Sequence, residues 1–313
     1  MISDNCSVLC NMDKRREQYR SLRKGYYHFC TDGLKEDDIF HNAAEYAFGM
    51  ILMGLVSIKF SLKIYVFTLM PNHIHIILCG TGADSLRAFD YLRRKLSARR
   101  KKNGYPPLPE DYWFKLIPIE TPEQMKNEIV YVLRNPLEKG LGMAGGYLWG
   151  SGWIYYSGFS EVFGASVAGK EMSGRSLEKL LGGEEKVPDE WRFHPYLGLL
   201  PDSFVDISMV QKLFPEPKDL QTALVKDYEV YFQIAGRLGE LCEFSQTERE
   251  SIVSQTLQKR FGGRDLDNLS DVEKGKLAII LHQEFGLNSY QISTSIYMKE
   301  KTVRQLLGSK ELR

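Results

Sequence analysis

Two β-rich runs, Lys63–Leu69 and His73–Cys79, are separated only by Met70-Pro71-Asn72. Such spacing suits antiparallel neighbours joined by a tight turn, with Pro and Asn as its punctuation. Upstream, Tyr26–Thr31 reads as a short strand ended by Asp32-Gly33. From Ile39 to Ile58, the residues Phe40, Ala44, Ala47, Ile51, Leu55 and Ile58 recur at helical spacing and predict one buried stripe. A second helix is expected over about Asp84–Lys102, ending at Asn103-Gly104 and a proline-rich break at 106–109. Tyr112–Ile119 is a further strand. Thr121 then caps a third helix, with Pro122 at its first position and Gln124 closing a capping box. That helix runs to about Arg134 and is disturbed by Pro136.

The order strand, helix, strand, strand, helix, strand, helix predicts the α+β class. The expected architecture is a ferredoxin-like antiparallel sheet with helices on one face, followed by an all-α C-terminal region. The first two dozen residues are polar and basic and read as a loosely held arm. Residues 140–164, rich in Gly and aromatics, read as a covering segment. Residues 164–188, with Gly169, Gly174, Gly182 and Gly183, are the best linker candidate. The expected division is therefore a catalytic domain at 1–163, a linker at 164–190 and a helical domain at 191–313. No internal repeat or low-complexity tract is present.

With 43% hydrophobic and 26% charged residues, the composition excludes a fibrous or wholly disordered chain. The longest apolar run, Ala47–Ile58, is broken by Gly49, Gly54 and Ser57. A membrane-spanning helix needs about twenty such residues, so a soluble protein without a membrane partner is expected. The N-terminus lacks the pattern of a secretory signal. Cys6, Cys10, Cys30, Cys79 and Cys242 include no C-x-x-C pair, which argues for reduced thiols in a cytoplasm.

The net charge of +1 hides an asymmetry. Residues 1–160 hold 21 Lys and Arg against 16 Asp and Glu, whereas residues 161–313 hold 20 against 24. The basic half contains Arg93, Arg94, Lys95, Arg99, Arg100, Lys101 and Lys102, seven cations in ten positions. Such a run reads as a polyanion-binding surface or as a solvated helix face.

His73 and His75 lie two apart in a strand, so both imidazoles point to one face. They are a natural half of a divalent-metal site, or a pair of half-exposed histidines at a sheet edge. On the third helix Tyr131 and Asn135 are four apart and share a face. Asn135 offers a carbonyl oxygen and Tyr131 a phenolic oxygen; packing of the tyrosine and capping by the asparagine is the other reading.

Three ordered segments join these halves. The stretch Phe67-Thr68-Leu69-Met70-Pro71-Asn72-His73-Ile74-His75-Ile76-Ile77-Leu78 resembles the signature of the single-tyrosine HUH transposases. Within them it is most similar to the REP-associated tyrosine transposases. Residues Tyr131-Val132-Leu133-Arg134-Asn135-Pro136-Leu137-Glu138-Lys139-Gly140-Leu141 resemble the second signature of that group. Tyr147-Leu148-Trp149-Gly150-Ser151 resembles the aromatic-Trp-Ser element that follows it. The resemblance covers about 26–157, half of the chain.

The resemblance implies a metal-dependent transposase that cleaves and rejoins single-stranded, hairpin-bearing DNA. His73 and His75, with Asn135 as third ligand, would hold a divalent ion, Mg²⁺ or Mn²⁺. Tyr131 would be the nucleophile, leaving a 5′-phosphotyrosine and a free 3′-hydroxyl. A phenol has an ordinary pKa of about 10, so its deprotonation needs help. Asn135 stands where the insertion-sequence branch carries glutamine, which favours the REP-associated branch. Beside this reading the basic run gains weight as a tracker of backbone phosphates.

The tail reads as three short helices, Asp271–Glu284, Ser289–Ser295 and Glu300–Leu307. The stretch Tyr290–Leu307 resembles a helix-turn-helix of the kind that ends bacterial replication initiators, within about 271–308. Ile292, Ile296, Val303 and Leu306 would pack the helix pair, with Lys301, Thr302, Arg304 and Gln305 facing outward, toward duplex DNA. A hairpin that only packs is the alternative. Two other functions stay open: a domesticated DNA-binding regulator with an idle catalytic site, and a nickase without joining activity. Monomer and homodimer are both compatible with the sequence.

Overall fold

In the computed structural model, the described residues are 13–34, 37–156, 164–183, 185–226, 234–235, 237–238, 246–285 and 287–308. Cys6, Cys10 and Cys242, and residues 157–163 at the end of the expected catalytic domain, lie outside them. Cys30 and Cys79 are thiols. The chain divides into two compact units, Met1–Leu224 and Val225–Arg313. No helix among the described residues is long and apolar enough to cross a membrane.

The first unit is built on four antiparallel strands: β1 (Gly25–Thr31), β2 (Lys63–Leu69), β3 (Ile74–Gly80) and β4 (Phe114–Ile119). Their spatial order is β2-β3-β1-β4. The tight pair expected from the sequence forms, with Thr68 opposite His75 and Leu69 opposite Ile74. Strand alternation gives the sheet two different faces. Tyr27, Phe29, Ile74, Ile76, Leu78 and Phe114 enter the main core on one. His28, Cys30, His75 and Ile77 turn to the other.

Helices α1 (Ala43–Lys59) and α2 (Gly82–Lys102) are the crossovers, and their apolar residues join the same core as Phe29 and Phe114. The third helix, α3 (Pro122–Glu138), lies on the opposite, histidine-bearing face, where Thr68 and His28 bond to it. The expectation of helices on one face thus holds for two of the three. The capping box of Thr121 and Gln124 is present.

The stripe expected on α1 is only partly buried. Ile51 and Leu55 are buried, but Ala44 and Ile58 are exposed, and every residue from Gly49 to Val56 is enclosed. The reason is a second layer outside the helix. A small sheet, β5 (Val167–Ala168), β6 (Arg192–His194) and β7 (Gly198–Leu199), packs there. A Cβ on Gly54 would collide with Leu199 and Trp191. Each large apolar side chain so buried contributes about 1.5–3 kcal/mol.

That layer corrects the linker and the domain boundary. The stretch expected as a linker carries β5 and a helix α4 (Gly174–Leu181), with Leu181 fully buried. Glu185 holds Lys59 at 2.6 Å and accepts from Tyr91 at 3.1 Å. The fold of the first unit continues through α5 (Ser208–Leu213) and into α6 (Pro217–Lys226), as far as Leu224. The region after Trp191, expected to be helical throughout, begins with the strands β6 and β7. The arm is likewise docked from Arg16 onward: Arg16 grips Asp90 in a two-bond ion pair and lies over Trp113.

The exposed edge of β2 is covered in two places, which removes a pairing hazard. Trp149 and Ser151 bond to Leu69 and Phe67. Val205 bridges Ile64, whose carbonyl accepts from Asp206. The covering segment expected at 140–164 therefore acts as an edge strand around Gly150.

In the second unit, α7 (Gln246–Arg260), α8 (Asp271–Phe285), α9 (Ser289–Ile296) and α10 (Glu300–Leu307) follow in order. Leu277, Leu281, Ile292, Ile296 and Val303 are buried, and Asn288 and Gln291 form a capping box. Leu306, expected in this core, is 42% exposed. Lys301, Thr302, Arg304 and Gln305 are exposed as expected.

Candidate active site

His75 projects from β3 onto the face covered by α3, and His73 stands in the turn just before the strand. Their Nε2 atoms are 2.9 Å apart. Across from them, α3 buries Tyr131 and Asn135. The ring of Tyr131 is centred 5.5 Å from that of His75. The Asn135 amide group donates from Nδ2 to the Tyr131 carbonyl at 3.1 Å, which orients the amide, and the side chain also bonds to His75. The four residues singled out by sequence spacing therefore meet in one place.

This cluster is sealed. Tyr131, His75 and Asn135 are 0% exposed and His73 is 5% exposed. Burial, and then the neighbouring His28, hold His75 well below the ordinary histidine range, with its bond to Asn135 acting in opposition. A neutral imidazole is the form that donates a lone pair to a metal.

Two residues missed in the sequence complete the cluster. His28 of β1 bonds through Nε2 to His75 Nδ1 at 3.0 Å and through Nδ1 to Glu128 Oε2 at 2.7 Å. Its ring lies 5.8 Å from that of Tyr131. Both left a signal. Glu128 precedes Tyr131 by three and Asn135 by seven, so it shares their helical face. His28 has the same strand parity as Cys30, which pairs with His75. At the outer end, His73 Nδ1 faces Asn72 Oδ1 at 2.7 Å.

These groups form a line of close polar contacts, not a cage. Among the described residues, no group of three or more His, Cys, Asp or Glu could hold a metal ion. The side-chain atoms that could serve a cation here are the two Nε2 atoms and the Asn135 side-chain oxygen, donors of the kind a divalent ion accepts.

The basic run is not brought to this site. It lies on α2, on the opposite face of the sheet. Arg100 is buried, bonded to Asp37, to the Asp38 carbonyl and, at 2.8 Å, to the Pro106 carbonyl, so its expected DNA-binding role is withdrawn. Beside Arg100, the Asp37 carboxyl is held down to about 2. Arg93 donates to the carbonyls of Pro109 and Glu110, Lys95 to that of Gly182, and Arg99 lies over Phe48. Arg94, Lys101 and Lys102 are exposed.

No protein-family model matches this chain, and no curated protein matches it. Among solved structures, that of a REP-associated tyrosine transposase bound to a REP hairpin is similar. The TM-score is 0.31 and the identity 16%, over 39% of this chain and 73% of that one. What the cluster can do chemically is therefore decided by its own side chains: a phenol, three imidazoles, a carboxamide and a carboxyl group, closed from water.

Proposed function

We propose that this protein is a metal-dependent DNA strand transferase of the transposase kind, acting on single-stranded, hairpin-bearing DNA. The observation that carries the reading is the meeting of Tyr131, His73, His75 and Asn135 at one buried point, from two motifs 56 residues apart in sequence (75 to 131). The motif resemblance supplies the substrate class.

In this reading Tyr131 Oη attacks a backbone phosphorus. The bond from phosphorus to the 3′ oxygen breaks, the phenolic proton ends on that oxygen, and the strand downstream of the break stays linked to the tyrosine through its 5′ phosphate. A 3′-hydroxyl attacking the same phosphorus reverses the step and joins strands without an external energy source. His73, His75 and Asn135 would hold a divalent ion, Mg²⁺ or Mn²⁺, that offsets charge developing on the phosphate oxygens. Because the tyrosine is sealed, the chain over it must move before a phosphate can enter. The exposed Arg94, Lys101 and Lys102 would contact flanking phosphates, and Lys301, Thr302, Arg304 and Gln305 of α10 would meet duplex DNA.

The test is covalent capture. Labelled hairpin-bearing single strands with Mn²⁺ should yield a protein–DNA adduct that peptide mass assigns to Tyr131. Tyr131→Phe should abolish the adduct and leave binding nearly intact, and EDTA should block it. An adduct on another tyrosine, or cleavage undiminished in EDTA, overturns the assignment.

A further inference from the structure

The protons of the histidine chain can be assigned from its two ends inward, using the hydrogen-bond network. At the inner end, the Glu128 carboxylate is acceptor-only, so His28 must present Nδ1–H to it. His28 Nε2 is then an acceptor, and the atom facing it, His75 Nδ1, must carry a proton. At the outer end, Asn72 has its amide nitrogen committed to the Leu34 carbonyl at 2.9 Å. Its oxygen therefore faces His73 Nδ1, which must also be N–H. Both ends thus impose the same tautomer on the two central imidazoles. A neutral imidazole with Nδ1–H keeps its remaining lone pair on Nε2; the two Nε2 atoms face one another at 2.9 Å, with the Asn135 side chain also at His75.

Two acceptors at that separation repel unless a cation shares them. The arrangement is therefore specified from outside the pair, by groups on three different elements: the turn before β3, strand β1 and helix α3. All but Asn72 are buried, and Asn72 is half-buried. Burial raises the strength of each bond in the chain and the cost of breaking it.

We propose that Asn72 and the His28–Glu128 pair are positioning residues: they fix His73 and His75 as Nδ1–H tautomers and so aim both Nε2 lone pairs at one divalent ion. The inference rests on the metal-assisted reading above and goes beyond it, because it assigns three residues outside the recognised motif roles. Glu128 acts on the ion through two imidazoles in series, His28 and then His75. Asn72 acts through one. An outer group of this kind both orients a metal-binding histidine and raises its basicity.

The test combines ¹⁵N NMR of histidine-labelled, EDTA-dialysed protein with calorimetric titration of Mn²⁺, both without DNA. In the parent, His73 and His75 should each show a protonated Nδ1, and Mn²⁺ should bind. Glu128→Leu, which removes the acceptor, should release the His75 tautomer and weaken Mn²⁺ by about 10–100-fold. Glu128→Gln keeps an acceptor oxygen for His28 and should retain the tautomer and most of the affinity. Asn72→Ala, at a half-buried turn and tolerated even where Glu128→Leu unfolds, should weaken Mn²⁺ by a comparable factor through His73. A protonated Nε2 on His75 in the parent, absence of Mn²⁺ binding, or parental affinity in Asn72→Ala and Glu128→Leu each overturns the inference. Correct tautomers and Mn²⁺ binding without any tyrosine adduct would sustain it and sink the strand-transfer reading. An adduct formed with His75 protonated at Nε2 would do the reverse.

Discussion

The hydroxyl of Thr68 donates to the carbonyl of Val132 at 3.0 Å, taking an acceptor left open inside a helix. In an uninterrupted helix that carbonyl would accept from the N–H four residues on. That residue is Pro136, which has none. Thr68 sits opposite His75 in the sheet, so this bond ties the tyrosine helix to the strand pair beside the histidines. The two motifs are thus complementary: the proline of one opens a position that the threonine of the other fills.

A double-mutant cycle should expose the coupling. Thr68→Val leaves a buried carbonyl without its donor and should cost about 1–3 kcal/mol. In a Pro136→Ala background the helix can serve that carbonyl itself, and the same substitution should cost less. Denaturant melts of the four proteins measure this, and strictly additive costs would show that the two residues do not communicate.

The sheet was legible because its signals are local: strand parity, a three-residue turn, a capping box and helical spacing. The pairing of His73 with His75 and of Tyr131 with Asn135 rests on the same periodicities. What escaped depends on contacts distant in sequence. His28 and Glu128 stand 100 residues apart and acquire meaning only when β1 lies beside β3 and under α3. The full buried run on α1 has no local signal because its outer cover, Trp191 and Leu199, comes more than 130 residues later. A run of cations says nothing of which will be spent internally, and Arg100 is held by backbone carbonyls that no composition reveals.

The cations of α2 should therefore divide into two classes. Arg100→Ala removes the buried clasp on residues 37, 38 and 106 and should cost about 2–3 kcal/mol of stability. The Asp37 carboxyl, held down to about 2 by Arg100, contributes stability above the ordinary carboxylate range. That contribution is lost as pH falls from about 4 toward 2, so the variant should also show a flatter acid limb in melts between those values. Arg94→Ala or Lys101→Ala should leave stability unchanged. Each should lower the salt dependence of single-strand binding by about 0.7 for every phosphate it no longer neutralises. An Arg100→Ala protein with parental melting would break this division.

Helix α10 should behave as a reader of duplex DNA only if its exposed face is freed for it. Arg304 is partly neutralised by Glu300 at 2.7 Å. Glu300→Gln should therefore tighten duplex binding, while Arg304→Ala and Gln305→Ala should weaken it, by about 1–3 kcal/mol at one base pair where a base edge is touched. Binding assays across salt and sequence decide the matter. Indifference of every duplex to all three changes would make the α9–α10 pair a packing element.

The first unit should fold on its own when it ends near Leu224 and fail when it ends near Gly164. The shorter fragment lacks Trp191, Phe193 and Leu199, which are buried in the main core. Each contributes about 1.5–3 kcal/mol by burial, against a total stability of about 5–15 kcal/mol for a typical domain. It also uncovers the β2 edge at Ile64, where Val205 and Asp206 pair, and releases the ion pair of Lys63 with Asp206. The histidine turn is at the far end of the same hairpin, so loss of that edge loosens the strand that carries the site. Thermal melts by circular dichroism should show a cooperative transition for the fragment ending near Leu224 and none for the shorter one. Under the proposed reading, the longer fragment should also form the Tyr131 adduct, because all four site residues and their outer partners lie before Gly140. A cooperative melt for the shorter fragment would show that residues 165–224 merely lie upon a core already complete without them.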